Sequence, residues 1–196
     1  MIENGFAATS LDQVIADSSS SKGAFFHHFD SKLALAQALV ERYAAADVAH
    51  LESALRQARA ATANPGQRVA AFVRIFEDTA DELMAAQSSC LYVSILTERQ
   101  LAAAGTSGEI VSAIEAWRVG VAELLRAALP AGGAIDPEAL ADHLFVTFEG
   151  AFLLARSTGD ANHMRHQLRT FRLLLEALLA PGAELGAAEP HATGPG

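Results

Sequence analysis

Between Thr9 and Lys32 the chain reads TSLDQVIADSSSSKGAFFHHFDSK. Within this stretch stand the hydroxyls of Thr9, Ser10 and Ser21, the ammonium groups of Lys22 and Lys32, and the paired imidazoles of His27 and His28. Such groups donate hydrogen bonds to phosphate oxygens and base edges. Other chemistries find less support. Adjacent histidines on a helix point about 100° apart and share one metal ion poorly. His163 and His166 have no acid in the same turn, and His50, His143 and His191 complete no ligand set. Cys90, placed before Leu91-Tyr92-Val93, reads as a small buried hydrophobe rather than a nucleophile. No Ser/His/Asp or Cys/His set and no Gly-rich phosphate loop after a strand is visible. The expectation is therefore no enzyme, no metal and no cofactor.

The elements that must hold these groups are legible from caps and breakers. Thr9 or Ser10 can cap a short helix whose apolar face is Leu11, Val14 and Ile15. Ser18–Ser21 make a turn. Ser21 caps a second short helix, Lys22–His28, with Phe25 and Phe29 four apart on one face. Ser31 caps a long helix from Lys32 to about Ala60. Two short helices and a tight turn are the layout of a helix-turn-helix, in which the second helix enters the DNA major groove. Further on, Asn64-Pro65-Gly66 is a break, followed by one helix through Val69, Phe76 and Met84. Another helix covers Leu91–Ala104, and the next runs from Glu109 to Leu129. Asp136-Pro137 opens a helix that closes at Thr158-Gly159-Asp160. A last helix spans Ala161–Ala180, and 181–196 are expected to be disordered.

Composition agrees with an all-α fold. Half of the 196 residues are apolar, with Ala and Leu in the lead. A single cysteine excludes an intrachain disulfide, and neither a signal peptide nor a membrane span is visible, which fits the cytoplasm. The net charge is −9. Even in the first fifty residues Lys22, Lys32 and Arg42 oppose Glu3, Asp12, Asp17, Asp30, Glu41 and Asp47. Any nucleic-acid contact must therefore come from a few well-placed cations rather than from bulk attraction.

The run Gly5-Phe6, Thr9-Ser10-Leu11, Ser21-Lys22-Gly23-Ala24-Phe25 and Phe26-His27-His28-Phe29-Asp30-Ser31-Lys32 resembles the heads of the TetR family of transcriptional regulators, without a gap. The fixed register of aromatic, His and Lys positions outweighs the plainer reading as an ordinary helical hairpin. The resemblance implies that Thr9 and Ser10 cap the bracing helix and touch phosphate. It implies that Ser21, Lys22 and Gly23 open the recognition helix, that Phe26, His27 and His28 lie at its DNA-facing side, and that Lys32 meets phosphate. Ser19 stands where the family has Gly, Ser20 where it has an apolar residue, and Phe26 where it has Tyr. The missing phenol hydroxyl removes one phosphate bond, roughly 0.5–1.5 kcal/mol. Met1–Asn4 stand where the family has a full leading helix, so the resemblance implies a head cut short at its start.

The expected architecture is a helix-turn-helix head at 1–46, incomplete at its N-terminus, and a ligand-binding and dimerisation body at 47–180. Phe72, Phe76, Met84, Tyr92, Trp117 and Phe148 are candidates for a small-molecule pocket, since helical bundles house ligands between helices. Glu98, Arg99 and Arg118 are charges that could orient an acidic ligand. Leu140, Leu144, Phe152, Leu168, Phe171 and Leu175 form apolar stripes on the last two helices, and a helix apolar nearly all round must be covered on several sides. A four-helix interface between two copies would cover them. The implied function is a ligand-responsive regulator, by default a repressor, bound as a homodimer to a palindromic operator on double-stranded DNA and released by an effector. The alternative is a ligand-sensing or dimerising protein whose clipped head no longer binds DNA.

Overall fold

The computed structural model describes residues 6–86, 95–96, 101, 105 and 107–180. Among them are eight helices and no strand. They are α1 (Leu11–Asp17), α2 (Lys22–His28), α3 (Lys32–Ala61), α4 (Pro65–Asp78), α5 (Ala80–Ala86), α6 (Ser107–Arg126), α7 (Pro137–Thr158) and α8 (Asn162–Leu178). Cys90, Tyr92, Glu98, Arg99, most of the expected helix at 91–104 and the expected tail at 181–196 lie outside the described residues.

Side-chain oxygens start most of these helices. Ser10 accepts from the Gln13 amide while Gln13 accepts from the Ser10 amide, a reciprocal capping box. Ser21 accepts from the Ala24 amide at 3.1 Å, Ser31 from Ala34 at 3.0 Å, Asn64 from Gln67 at 3.1 Å and Asp136 from Glu138 at 3.1 Å. Gly159, at φ 73°, ends α7 in the left-handed conformation that lets the last turn close. The helix expected through Met84 is interrupted at Thr79, whose hydroxyl donates to the Ile75 carbonyl and separates α4 from α5.

The turn between α1 and α2 closes as a Schellman motif. The Ser20 amide donates to the Ile15 carbonyl and the Ser19 amide to Ala16, both at 3.1 Å. That geometry puts Ser19 at φ 52°, the one positive φ of a non-Gly residue among the described residues. A Cβ there crowds the following carbonyl. Ser20 occupies the position where an apolar side chain normally packs back onto the helix.

Two compact units emerge, 1–50 with 84–116, and 51–83 with 117–196. The sequence reading draws its line between Ala46 and Asp47 and assigns 47–180 to the body; compactness divides α3 after His50 and groups 84–116 with the first unit. In that unit Phe6, Phe25, Ala36, Val40 and Ala44 are buried. In the second, α8 packs against both α4 and α7. Its Met164, Leu168, Phe171 and Leu175 recur at helical spacing and are buried. The same face carries a buried ion pair. Arg172 Nε donates to Glu77 Oε2 of α4 at 2.7 Å, and its Nη1 donates to Glu176 Oε1 at 2.7 Å. Those carboxylates, Glu77 foremost, hold the guanidinium protonated beyond its ordinary range.

Two substitutions test this account. Ser19→Gly relieves the left-handed strain at the cost of a more flexible unfolded chain, so a gain of roughly 0.5–1 kcal/mol is expected, read as slower amide exchange in α1 and α2. Arg172→Met strands a buried carboxylate and is expected to cost about 3–5 kcal/mol in thermal or urea unfolding. Replacing Arg172 and Glu77 together by Leu is expected to recover most of that loss.

Candidate nucleic-acid interface and effector cluster

The helix-turn-helix sorts its residues by side. Phe25 is buried at 7 % exposure and meets Phe29 at 5.7 Å between ring centroids. This pins the inner face of α2. Ser21, Lys22, Gly23, Phe26, His27 and His28 are all exposed on the remaining faces. Phe26 stands out at 46 % exposure, its ring held edge-on against Phe25 at 5.3 Å. The His27 and His28 rings lie 4.9 Å apart at 73°, both open to solvent. Gly23 has room to spare. A Cβ built there would find only the Ser21 hydroxyl, 3.9 Å away.

Three other expected contact residues are placed differently from one another. Ser10 is exposed and caps α1. Thr9 is 4 % exposed and turned inward, and it does not cap. Lys32 is half-buried, and its ammonium donates to the carbonyls of Phe6 at 2.7 Å and Thr9 at 2.8 Å.

In the second unit four of the six pocket candidates converge. Phe76 lies 5.2 Å from both Phe72 and Trp117 and 6.0 Å from Phe148, and Trp117 lies 6.5 Å from Phe148. Phe72 and Phe76 are buried, whereas Trp117 and Phe148 are half-buried. The cluster joins α4, α6 and α7 through edge-on and tilted ring contacts, the arrangement that ring quadrupoles favour. Met84 is buried but belongs to the other unit, and Tyr92 is not among the described residues. Next to Trp117, Arg118 forms a two-pronged pair with Asp142, Nε to Oδ1 at 2.5 Å and Nη2 to Oδ2 at 3.1 Å. These bonds hold the Asp142 carboxyl below its ordinary range.

Residues 1–39 match the family described as bacterial regulatory proteins, tetR family, and residues 65–171 match the tetracyclin repressor-like C-terminal domain. The chain belongs to the TetR family of transcriptional regulators. It is similar to the transcriptional regulator AcuR of Cereibacter sphaeroides, at 26 % identity over 177 residues, 87 % of this chain and 78 % of that protein. The crystal structure of a regulatory protein TetR from Rhodobacter sphaeroides superposes with TM-score 0.66 at 25 % identity, over 88 % of this chain and 90 % of the other. Reduced NemR of E. coli has a TM-score of 0.67 at 20 % identity, over 88 % and 89 % of the two chains, which is a likeness of fold. This TetR-family protein is a DNA-binding, ligand-responsive regulator, and repression is typical of the family. No helix among its described residues is long and apolar enough to cross a membrane.

The expected dimer stripe falls largely inside the protomer. Leu144, Phe152, Leu168, Phe171 and Leu175 are buried within it, and Leu140 is half-buried. The apolar side chains left facing outward are Val146, Leu153 and Leu154 on α7, and Leu173 and Leu174 on α8. Leu153 at 67 % and Leu174 at 64 % are the most exposed of them. The sequence showed Val146, Leu153, Leu154 and Leu174 as part of the apolar surplus of these helices but chose its interface candidates from the most regular spacing, which is the stripe a protomer buries first. The residues to choose were those of the surplus, the apolar side chains that one inward stripe cannot accommodate.

Gly23 supplies a test with opposite signs. The fold has space for a methyl there, and Gly in a helix costs roughly 0.5–1 kcal/mol relative to Ala. Gly23→Ala is expected to stabilise the free protein in thermal unfolding while weakening operator binding in a gel-shift titration. A variant that gains stability and keeps full affinity shows that DNA does not approach α2 at this position.

Proposed function

We propose that the chain represses transcription as a homodimer whose two α2 helices enter successive major grooves of a palindromic operator, and that a small apolar or amphipathic effector releases it. The observation that carries this reading is the sorting of α2. Its one buried ring anchors it, and Ser21, Lys22, Gly23, Phe26, His27 and His28 are all turned to solvent. Lys22 supplies charge to phosphate, the N-terminus of α2 presents free amides, and the imidazoles and Phe26 face base edges and thymine methyl groups. Ser10 adds a phosphate contact at the start of α1.

The aromatic cluster of Phe72, Phe76, Trp117 and Phe148 is the proposed effector site. Its neighbouring cation is already matched, because Arg118 is paired with Asp142. An apolar or weakly polar molecule suits such a site better than an acid, which would have to displace Asp142. The two copies meet through the outward apolar residues of α7 and α8, Val146, Leu153, Leu154, Leu173 and Leu174. Effector and operator act on one equilibrium: the dimer state that spaces its α2 helices about 34 Å apart binds DNA, and the effector favours another. No catalytic step is part of this function, and the lone cysteine suits a reducing cytoplasm.

Fluorescence anisotropy with labelled DNA flanking the chain's own gene is the direct experiment. Saturable binding that weakens with salt is expected. Lys22→Ala should flatten the logarithmic salt dependence by roughly 0.9 for each copy. Affinity equal to that for unrelated DNA overturns the operator reading. Leu153→Glu with Leu174→Glu is expected to leave a folded monomer in sedimentation and to abolish operator binding. Trp117 is the only tryptophan in the sequence, so its emission reports on the cluster. Effectors that release DNA are expected to quench or shift that emission, and Phe148→Ala is expected to weaken them about two- to tenfold, as loss of a ring contact predicts.

A further inference from the structure

We propose that Lys32 is a positioning residue, whose ammonium locks the entry of α1 to the start of α3 and so sets the aim of the recognition helix before DNA arrives. This rests on the operator-binding role of α2 and departs from the phosphate contact that the family resemblance implies. Lys32 Nζ donates to Phe6 O at 2.7 Å and to Thr9 O at 2.8 Å, and it sits 4.1 Å from the centroid of the Phe6 ring. Phe6 and Thr9 are themselves buried, at 8 % and 4 % exposure. Two of the three ammonium protons are therefore committed to carbonyls, and the ring face takes up part of the charge.

The placement within the chain gives this contact its consequence. Thr9 directly precedes Ser10, the N-cap of α1. Lys32 opens α3 immediately after the Phe29–Ser31 link that leaves α2. One side chain thus spans the stretch that contains the whole helix-turn-helix, bonding residues 26 and 23 positions away. A cation in the first turn of a helix opposes the helix dipole. Carbonyl oxygens are the compensating partners here. Lys22 and Lys32 are the only lysines in the sequence. With Lys32 turned inward, Lys22 is the lysine that remains for phosphate.

Amine acetylation of the full chain, read by peptide mass spectrometry, tests the lock without any DNA. Lys22 is expected to react freely and Lys32 at least about tenfold more slowly, as two charge-assisted bonds predict. Adding operator is expected to protect Lys22 and leave Lys32 unchanged. A Lys32 that reacts as fast as Lys22 in the free protein overturns the proposal, whether or not the chain then proves to bind an operator. Operator titrations with Lys32→Met and Lys32→Arg add a second readout. The expected result is an unchanged salt slope and unchanged affinity for unrelated DNA, with operator affinity lowered about tenfold or more in Lys32→Met and partly restored in Lys32→Arg. A salt slope flattened by roughly 0.9 per copy, with both kinds of DNA bound more weakly, makes Lys32 a phosphate contact and sinks the lock.

Discussion

A helix of seven residues does not persist in water by its own hydrogen bonds, because nucleation costs more than so few bonds return. Both α1 and α2 are that short. The helix-turn-helix therefore depends on groups outside its helical ladders. Ser10 and Ser21 satisfy amides that the first turns leave open, Ser19 accepts a left-handed backbone so that the turn can close, and Phe25 is the single buried residue of α2. Local polar geometry thus adds to the packing that Phe25 and the half-buried Leu11, Val14 and Ile15 provide. The arrangement leaves nearly all of the α2 surface unencumbered, and a surface without packing duties can be given over to recognition.

The second unit meets the opposite constraint. Its helices are long enough to form readily, and their difficulty is to find cover for apolar surface. α8 resolves this by lying against both α4 and α7, with one stripe inward and Arg172 closing onto Glu77 in the same interface. A buried pair of this kind adds little net stability over an apolar pair, but it penalises any slippage that separates the charges. α4 is thereby held in register with α8, and α4 carries Phe72 and Phe76 of the aromatic cluster. What remains exposed, Leu153 and Leu174 above all, is apolar surface that the described helices leave uncovered.

How far the sequence disclosed this depended on the range of the interaction. Caps and breakers act within four residues, so the starts at Ser21, Ser31, Asn64-Pro65 and Asp136-Pro137 and the stop at Gly159 were all readable from residue type. The left-handed position at Ser19 was foreshadowed by the resemblance, which has Gly there. Thr79 was not. The apolar pattern runs through it to Met84, and a threonine that bonds back to its own helix leaves no mark in composition. The unit boundary after His50 was hidden for another reason: it falls inside a continuous helix, where no turn residue is needed. Among the aromatic residues periodicity could nominate but not assemble. It proposed Phe72, Phe76, Trp117 and Phe148 together with Met84, which only tertiary grouping assigns elsewhere. The role of Lys32 was obscured by its own charge, because a lysine beside a recognition helix looks outward by type and turns inward only when a pair of carbonyls is offered to it.

The electrostatics of the described residues bear on what kind of DNA reader this is. The chain carries a net charge of −9, and many of its arginines are matched to acids. Arg118 pairs with Asp142, Arg126 with Glu138, Arg165 with Asp81, Arg59 with Glu123 and Arg172 with Glu77. Matched charges contribute little field at a distance. Attraction to phosphate must then come from the helix-turn-helix itself, where Asp12, Asp17 and Asp30 stand among few cations. A protein so constituted gains little from nonspecific association, which is mostly counterion release. On the function proposed above, its affinity rests on short-range terms: amides at the start of α2, imidazole donors, and the fit of Phe26 and Gly23 to a groove. Those terms fall off within a bond length or two, so they reward only correct placement of α2. A rigid, pre-set helix-turn-helix is the structural counterpart of that demand, and under the proposed role of Lys32 an inward-turned lysine serves recognition better than one more contact to the DNA backbone.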